Sequence, residues 1–568
     1  MTTRKEFRWK FSEAPPEELA KKLSEELTLP LPLVSVLVNR GITDFELARQ
    51  YFRPSLEYLH DPYLMDGMYL AVERLLAAKS SGENILVYGD YDVDGTNGAS
   101  MLYLYFKEIG CNVSFYIPDR LTEGYGISQA GVEFAKANGI KLLVSIDCGI
   151  TALAQVEYAN QLGIDVIICD HHEPTEEIPN AVAVLDPLKP QCKYPFKSLC
   201  GTGVGFKFVQ AIARSLGSES AVQKYLDFVA LATTADIVSL VDENRILTKI
   251  GIELINTSPR PGIRALIENA GLKVGSITTG QIVFGIAPRI NAVGRLGDAK
   301  RAVELLVSED AQSAFNFALV LEQENKNRRK IDEGVFEEAQ SLVENYFKEF
   351  GDGPIVLHNE QWHPGVVGIV ASRMVEKYYR PAVMMTTIDG IAKGSARSIS
   401  GVNIHQALKQ VEDKLLQFGG HKYAAGVSVD VDRIGEFREA FSSAIREMLT
   451  DELLTPELHI DSETDLAELT PKFLRVLKQF APFGPQNMRP TFLAKDVRVT
   501  TLPRIVGKNH LRFKVSKNGV TFDCIGFGLG ELLDLVKNKM NSIDIVFSID
   551  ESDFNGMVLT QLKLKDIK

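Results

Sequence analysis

The sequence predicts an α/β protein: a domain built on a parallel sheet, a long connecting helix, a smaller α/β domain and a C-terminal antiparallel barrel. Three observations carry that prediction. Short apolar runs (Ile85-Leu86-Val87-Tyr88, Leu142-Leu143-Val144-Ser145-Ile146, Val166-Ile167-Ile168) alternate with helix-like segments at 129–138, 151–162 and 204–216, the pattern of a mostly parallel sheet with helices on both faces. A long charged stretch at 311–341 reads as one helix. The last hundred or so residues carry short alternating strands.

Residues 1–80 read as a helical extension with polar faces that packs on the domain after it. It breaks at Arg53-Pro54, because the residue before a proline is pushed out of the helical region. The first α/β domain spans 81–270 and a helical connector 271–350. The second α/β domain, 351–452, opens on the turn Gly351-Asp352-Gly353-Pro354. Its strand is Ile355-Val356-Leu357, followed by a glycine-rich loop and a helix over 367–378. In 453–568, Val497-Arg498-Val499-Thr500, 511–515 and 543–549 read as barrel strands; basic and strand-rich, they suit an OB-like, nucleic-acid-binding barrel.

A chain of 568 residues with 45% apolar content has a prior of roughly three or four domains. No run approaches the ~20 apolar residues of a membrane span, and Met1-Thr2-Thr3-Arg4-Lys5-Glu6 lacks the apolar region of a signal peptide. The six cysteines, Cys111, Cys148, Cys169, Cys192, Cys200 and Cys524, form no CxxC pair; they read as buried, reduced thiols of a cytoplasmic protein. A net charge of −12 disfavours nucleic acid only if read globally. Locally Lys495, Arg498, Arg504, Lys508, Arg512, Lys514 and Lys517 form a basic stripe with Asp496 alone opposing it, and Lys326, Arg328, Arg329 and Lys330 form a smaller cluster. Each, taken alone, is a solvated face.

The three apolar runs lead into Asp90-Tyr91-Asp92-Val93-Asp94, Asp147-Cys148 and Asp170-His171-His172. Ligands bind outside the carboxyl ends of the strands of such sheets, so three strand ends bearing carboxylates or imidazoles aim hard donors at one crevice. Asp90, Asp92 and Asp94 are read as alternating across an extended turn, at most two of them facing the site. Their mutual repulsion calls for a cation, against the plain alternative of a turn rich in Asp and Gly. Gly95 would let backbone approach a ligand. Asp147 needs a cation or donors where it stands, although Asp-Cys-Gly is equally an ordinary strand-to-helix turn. Adjacent histidines in an extended segment point opposite ways, so one can ligate a metal and the other meet substrate, with Asp170 orienting its neighbour. Asp236 follows the apolar run Phe228-Val229-Ala230-Leu231; by itself it is as readily a helix terminus or an ion pair.

These residues together resemble the DHH phosphoesterase superfamily, and within it the RecJ single-strand-specific exonucleases, over nearly the whole chain. The matching segments are 87–96, 145–150, 170–173 and 235–238. They continue with Pro288-Arg289-Ile290-Asn291-Ala292-Val293-Gly294-Arg295, with 362–373, 394–398 and 418–421 of a DHH-associated domain, and with Pro482-Phe483-Gly484 through Asn487 and Pro490. Two positions depart from the pattern: Asn97-Gly98 stands where a hydroxyl residue and a less flexible one are expected, and Gln486 where glycine is usual.

The resemblance implies a two-metal site for Mn2+ or Mg2+ between the DHH domain and its associated domain. Asp92 would hold one ion, Asp94, His171 and Asp236 the other, and Asp147 would bridge them. Asp90 would be a further ligand or a support, and His172, with Asp170 behind it, would face the scissile phosphate. Arg120, Arg373, Ser395 and Arg397 would grip the 5′ end, while Arg289 and His421 would contact phosphates near the cut. For each arginine the plain alternative is a surface ion pair. Gly419-Gly420 would offer backbone N–H groups to phosphate or form a plain turn, and Tyr91 and Tyr125 would stack on bases or pack in the core. The implied activity is 5′-to-3′ hydrolysis of single-stranded DNA in repair and recombination, alongside a single-strand-binding protein and a RecQ-type helicase. The alternatives are a DHH phosphodiesterase or phosphatase acting on short oligonucleotides, which would lack the barrel, and a non-catalytic strand-binding replication scaffold, which would have lost metal ligands.

Overall fold

The structure is a computed structural model describing residues 6–554 and 557–568, and side chains outside 552–558; residues 1–5 of the N-terminal stretch read above lie outside it. The chain forms two compact units. One holds Ala14–Asn325 with Leu469–Arg489; the other holds Lys326–Glu468 and Pro490–Lys568 with the described residues before Ala14.

The first unit is built on five parallel strands in the order Asn112–Tyr116, Asn84–Gly89, Ile140–Ile146, Asp165–Cys169, Ala183–Leu185. Successive side chains of a strand face opposite sides, and both sides are apolar here. Ile85, Val87, Leu142, Val144, Ile167 and Cys169 feed one core, while Leu86, Tyr88, Leu143, Val166 and Ile168 feed the other. Burying each large side chain contributes about 1.5–3 kcal/mol. That explains runs that are continuously apolar rather than alternating. Four neighbouring strands are each followed by an aspartate: Asp90, Asp147, Asp170 and Asp186.

The N-terminal helices Glu17–Leu27, Leu31–Asn39, Phe45–Phe52 and Met68–Ser81 belong to this unit, and the third stops at Arg53 before Pro54. Two buried cations fasten the unit. Lys207 Nζ lies 2.9 Å from Glu243 Oε1, both side chains wholly inaccessible. Tyr194 Oη and the His60 amide donate to the same carboxylate. Arg245 lies 3.8 Å over the Tyr51 ring. It donates to the carbonyls of Tyr51 (3.1 Å), Phe480 (2.9 Å) and Gln479 (3.2 Å). Burial pulls its guanidinium down to about 10.

The charged stretch forms one helix, Ala311–Phe350, longer than the sequence predicts. In the second unit, a five-stranded sheet runs Gln417–Gly420, Ala424–Asp430, Ile391–Arg397, Ala382–Ile388, Ile355–His358, with the last pair parallel and the rest antiparallel. The helix after its first strand begins at Pro364, not 367. Pro364 suits the first helical position, and His363 Nδ1 caps it by accepting from Gly365 N at 3.0 Å.

The barrel is a seven-stranded sheet in which Thr491–Val499 pairs with both Ile543–Phe554 and His510–Lys517. Its basic stripe is less bare than the sequence suggests. Lys495 pairs with Glu463 at 2.7 Å, Lys514 with Asp523 at 3.3 Å and Lys517 with Asp465 at 3.8 Å. Those acids are distant in sequence or on a neighbouring strand, so a linear reading sees only Asp496. No helix among the described residues is long and apolar enough to cross a membrane.

Candidate metal centre

The aspartate-rich segment is not an extended turn. Asp92 is the N-cap of the helix Val93–Glu108, its Oδ1 accepting from Asp94 N (2.8 Å) and Gly95 N (3.1 Å), and Asp94 lies in the first turn. An N-cap carboxylate satisfies otherwise orphaned amides, and the helical turn lets all three aspartates join donor groups. Gly95 serves packing: a Cβ there would stand 2.5 Å from Asp90 N. Gly98 is needed for the same reason, since a Cβ would meet Ile146 Cγ1 at 2.4 Å.

Asp147 has φ +62°, a left-handed conformation that Asp and Asn adopt more readily than most residues. Its amide still donates across to Cys169 O at 2.9 Å, and the left-handed φ turns the chain away from the sheet after it. The two imidazoles do not splay to opposite faces; their ring centroids lie 4.5 Å apart. His171 Nε2 is 3.1 Å from Asp147 Oδ1 and 3.7 Å from both Asp94 Oδ2 and Asp236 Oδ2. His172 Nδ1 is 2.7 Å from Asp170 Oδ1. Burial opposes the imidazolium, but the hydrogen bond and charge of Asp170 outweigh it and raise His172 to about 9.

Three donor groups result: Asp90, Asp92 and Asp147; Asp94, His171 and Asp236; and Asp147, His171 and His172. In each, one ligand atom per residue lies within 4.8 Å of the others. Burial first, then neighbouring carboxylates, hold Asp90, Asp147 and Asp236 well above the usual carboxylate range. Asp90 Oδ1, Asp147 Oδ1 and His171 Nε2 are buried and make no aligned hydrogen bond. Orphaned buried acceptors crowded together are costly; a divalent cation satisfies them, and oxygen with imidazole donors suits Mn2+, while oxygen suits Mg2+.

Of the expected phosphate contacts in this unit, Arg120 lies over the Tyr91 ring at 4.9 Å. Arg289 is buried, with Nε 2.6 Å from Glu322 Oε2 and its guanidinium donating to Gly285 O. In the other unit, Arg397 donates to Ser395 Oγ at 2.5 Å and to Ala396 O. Arg373 pairs with Asp332 (3.3 Å) and Glu333 (3.0 Å) over the Phe336 ring. His421 is exposed, just past a hairpin strand that ends in Gly419 and Gly420.

Family models match three stretches: "DHH family, N-terminal domain" at 84–233, "DHHA1 domain" at 351–447 and "RecJ OB domain" at 460–566. The single-stranded-DNA-specific exonuclease RecJ of Bacillus subtilis (strain 168) is 36% identical over 562 residues, 98% of this chain and 70% of that one. Its counterpart in Escherichia coli (strain K12) is 33% identical, covering 96% of this chain and 98% of that one. The chain belongs to the RecJ family. Among solved structures, RecJ of Thermus thermophilus in complex with Mn2+ matches with a TM-score of 0.85 at 28% identity, over 100% of this chain and 80% of that one. The Mg2+ complex matches at 0.79 and 27% identity, over 99% and 78%.

Within this RecJ-family site, three supporting contacts go beyond the linear reading. The helix Gly201–Ser215 points its N-terminus at Asp94: Gly201 N donates to Oδ2 at 2.7 Å and Thr202 N to Oδ1 at 2.8 Å, as helix N-termini do for anions. The run Cys200-Gly201-Thr202-Gly203-Val204-Gly205 was the available signal. Tyr125 Oη donates to Asp147 O at 3.0 Å and stands 3.0 Å from His172 Nδ1. Asn291 Oδ1 accepts from Val93 N at 3.2 Å. Asp186, buried with Oδ2 unpartnered, follows the fifth strand, Ala183–Leu185.

Gly201 yields a sharp expectation. A Cβ there would lie 2.7 Å from the Cα and Cβ of Asp147, so Gly201→Ala displaces both Asp147 and the amides that hold Asp94. We expect Mn2+ affinity, measured by titration calorimetry, to fall about 10–100-fold, with the far-UV circular dichroism unchanged.

Proposed function

We propose that this chain is a metal-dependent exodeoxyribonuclease that removes nucleotides from the 5′ end of single-stranded DNA. The observation that carries the reading is the set of buried donor groups at the strand ends with their orphaned oxygens and imidazole nitrogen. The RecJ relatives, whose names state single-strand specificity, and the RecJ structures with Mn2+ and Mg2+ supply the substrate and the ions. Asp92 with Asp90 would hold one Mn2+ or Mg2+ ion and Asp94, His171 and Asp236 the second, with Asp147 shared between them. Such ions, when bound, activate water and neutralise charge developing on an in-line phosphodiester displacement.

The remaining steps belong to side chains of the protein. His172, held by Asp170 and Tyr125, faces the scissile phosphate as a hydrogen-bond donor. Arg289 and His421 would hold phosphates beside the cut. Arg120, Arg373, Ser395 and Arg397 would hold the terminal 5′ phosphate, Arg397 offering a planar fork suited to its oxygens. The barrel guides the strand electrostatically, which makes cleavage salt-sensitive. The enzyme works in the cytoplasm in repair and recombination, with a single-strand-binding protein and a RecQ-type helicase as partners.

The test uses Mn2+ or Mg2+ with single-stranded DNA bearing a free 5′ phosphate, the same strand blocked at its 5′ end, and a blunt duplex. Products should shorten from the 5′ end of the free strand alone. Equal degradation of the blocked strand would overturn the polarity, and equal degradation of the duplex would overturn the strand preference.

A further inference from the structure

Ile237 stands where the fold has no use for an isoleucine. The helix Leu226–Ala235 ends on Asp236 as its C-cap, and Ile237, the residue after it, has φ +62°. Helices commonly close with a left-handed residue at this place, usually glycine and sometimes asparagine. In a β-branched residue that backbone is an outlier, because the side chain crowds the main chain. Among the described non-glycine residues with left-handed φ, Ile237 is the only aliphatic one. Burial offers little in return, since the residue remains 65% exposed.

Both ends of the segment are tied down, which keeps the strained turn in place. Asp236 N donates to Ala232 O at 2.9 Å, and Leu240 N donates to Pro485 O at 2.8 Å. Asn244 Nδ2 donates to Ser239 O at 2.9 Å, and the Leu240 side chain is buried. The residue before Ile237 belongs to a metal-donor group: Asp236 Oδ2 lies 3.7 Å from His171 Nε2. Consecutive Cα atoms are about 3.8 Å apart, so an exposed, branched aliphatic side chain stands on strained backbone directly beside the metal centre. Strain of this kind collects at functional sites.

We infer that Ile237 is a specificity-determining residue that packs against the sugar of the nucleotide held at the metal centre and disfavours ribose there. This role rests on the exonuclease reading proposed above and deepens it. Of the parts of a nucleotide, phosphate calls for hydrogen-bond donors or positive charge, which an isoleucine side chain does not have. A base offers a flat π face, which aromatic rings match and a branched aliphatic group does not. The C2′ of a deoxyribose bears only hydrogen, so an aliphatic group packs on it without loss. On a ribose the same carbon carries the 2′-hydroxyl, the group by which proteins tell RNA from DNA. Covered by Ile237, that hydroxyl would lose water and gain no partner, and an unmade hydrogen bond is costly.

The test measures kcat/KM of the wild-type protein, Ile237→Val and Ile237→Asn with Mn2+ on single strands of DNA carrying one ribonucleotide at successive positions from the 5′ end. In the wild type, one position should show a preference for deoxyribose of about 5–150-fold. Ile237→Val should keep that preference, since the apolar branch remains. Asparagine suits the left-handed backbone and offers the 2′-hydroxyl a partner. In Ile237→Asn the preference should therefore fall to about three-fold or less, with a melting temperature at or above that of the wild type. An equal preference in the wild type and Ile237→Asn overturns the inference alone, and so does a wild type indifferent to ribose at every position. A melting temperature well below wild type in Ile237→Asn assigns the side chain to packing and overturns it as well. A wild-type protein that cleaves no strand overturns the exonuclease reading and the inference with it.

Discussion

Asp147→Asn should abolish strand cleavage, by about a thousand-fold or more in kcat, while raising the melting temperature of the metal-free protein. Asp147 belongs to two of the three donor groups, and loss of a shared ligand removes several kcal/mol of charge stabilisation. Asparagine is the right replacement because it tolerates the +62° backbone of this position. The gain in stability follows from the same repulsion that the ions relieve. Asp90, Asp147 and Asp236 titrate well above their ordinary value, through burial and then through each other and their neighbours. The native state therefore binds more protons than the unfolded chain, and stability falls as pH rises above ~3.9. His172, raised to about 9, adds stability below its unfolded pKa of ~6.5 that is lost as pH climbs through 9. His171, lowered by burial, acts in the opposite sense near its ordinary value. Melting curves in EDTA should thus fall between pH 5 and 9, less steeply in Asp147→Asn. Cleavage within ten-fold of wild type, or a lower metal-free melting temperature, would contradict the shared-ligand assignment.

Lys207→Met should destabilise the first unit by about 3–5 kcal/mol, because it leaves Glu243 charged and buried without its cation. Tyr194 and His60 continue to donate, but hydrogen bonds do not cancel a net charge in a dry interior. Adding Glu243→Gln should recover most of the loss, since the uncompensated charge then disappears. Urea titration of the single and double variants measures both effects. A loss below ~1 kcal/mol in Lys207→Met would show that the remaining donors suffice.

Much of this architecture is legible in the sequence. Parallel strands buried on both faces produce continuous apolar runs, and their carboxyl ends fall where the runs stop, so Asp90, Asp147 and Asp170 stand out. Ala183–Leu185 does not, because three residues are too few to show a period. Asp186 stays hidden with it. The helical placement of Asp92 and Asp94 is masked because capping aspartates and turn aspartates look alike in sequence. The Asp94 contact with Gly201 and Thr202 joins residues more than a hundred positions apart, a separation no local pattern encodes. The ion pair of Arg289 with Glu322 likewise joins residues too far apart for a local pattern to show.

Arg245 has a consequence for anyone who divides this protein. Its guanidinium donates to carbonyls of Phe480 and Gln479, residues that a sequence-based boundary at 452/453 assigns to the barrel. A chain ended at that boundary would strand a buried cation with its acceptors gone, and the catalytic half would be crippled by its missing tether. Independent expression of that half requires the stretch Leu469–Arg489 to travel with it, grafted behind Asn325 or supplied as a separate peptide.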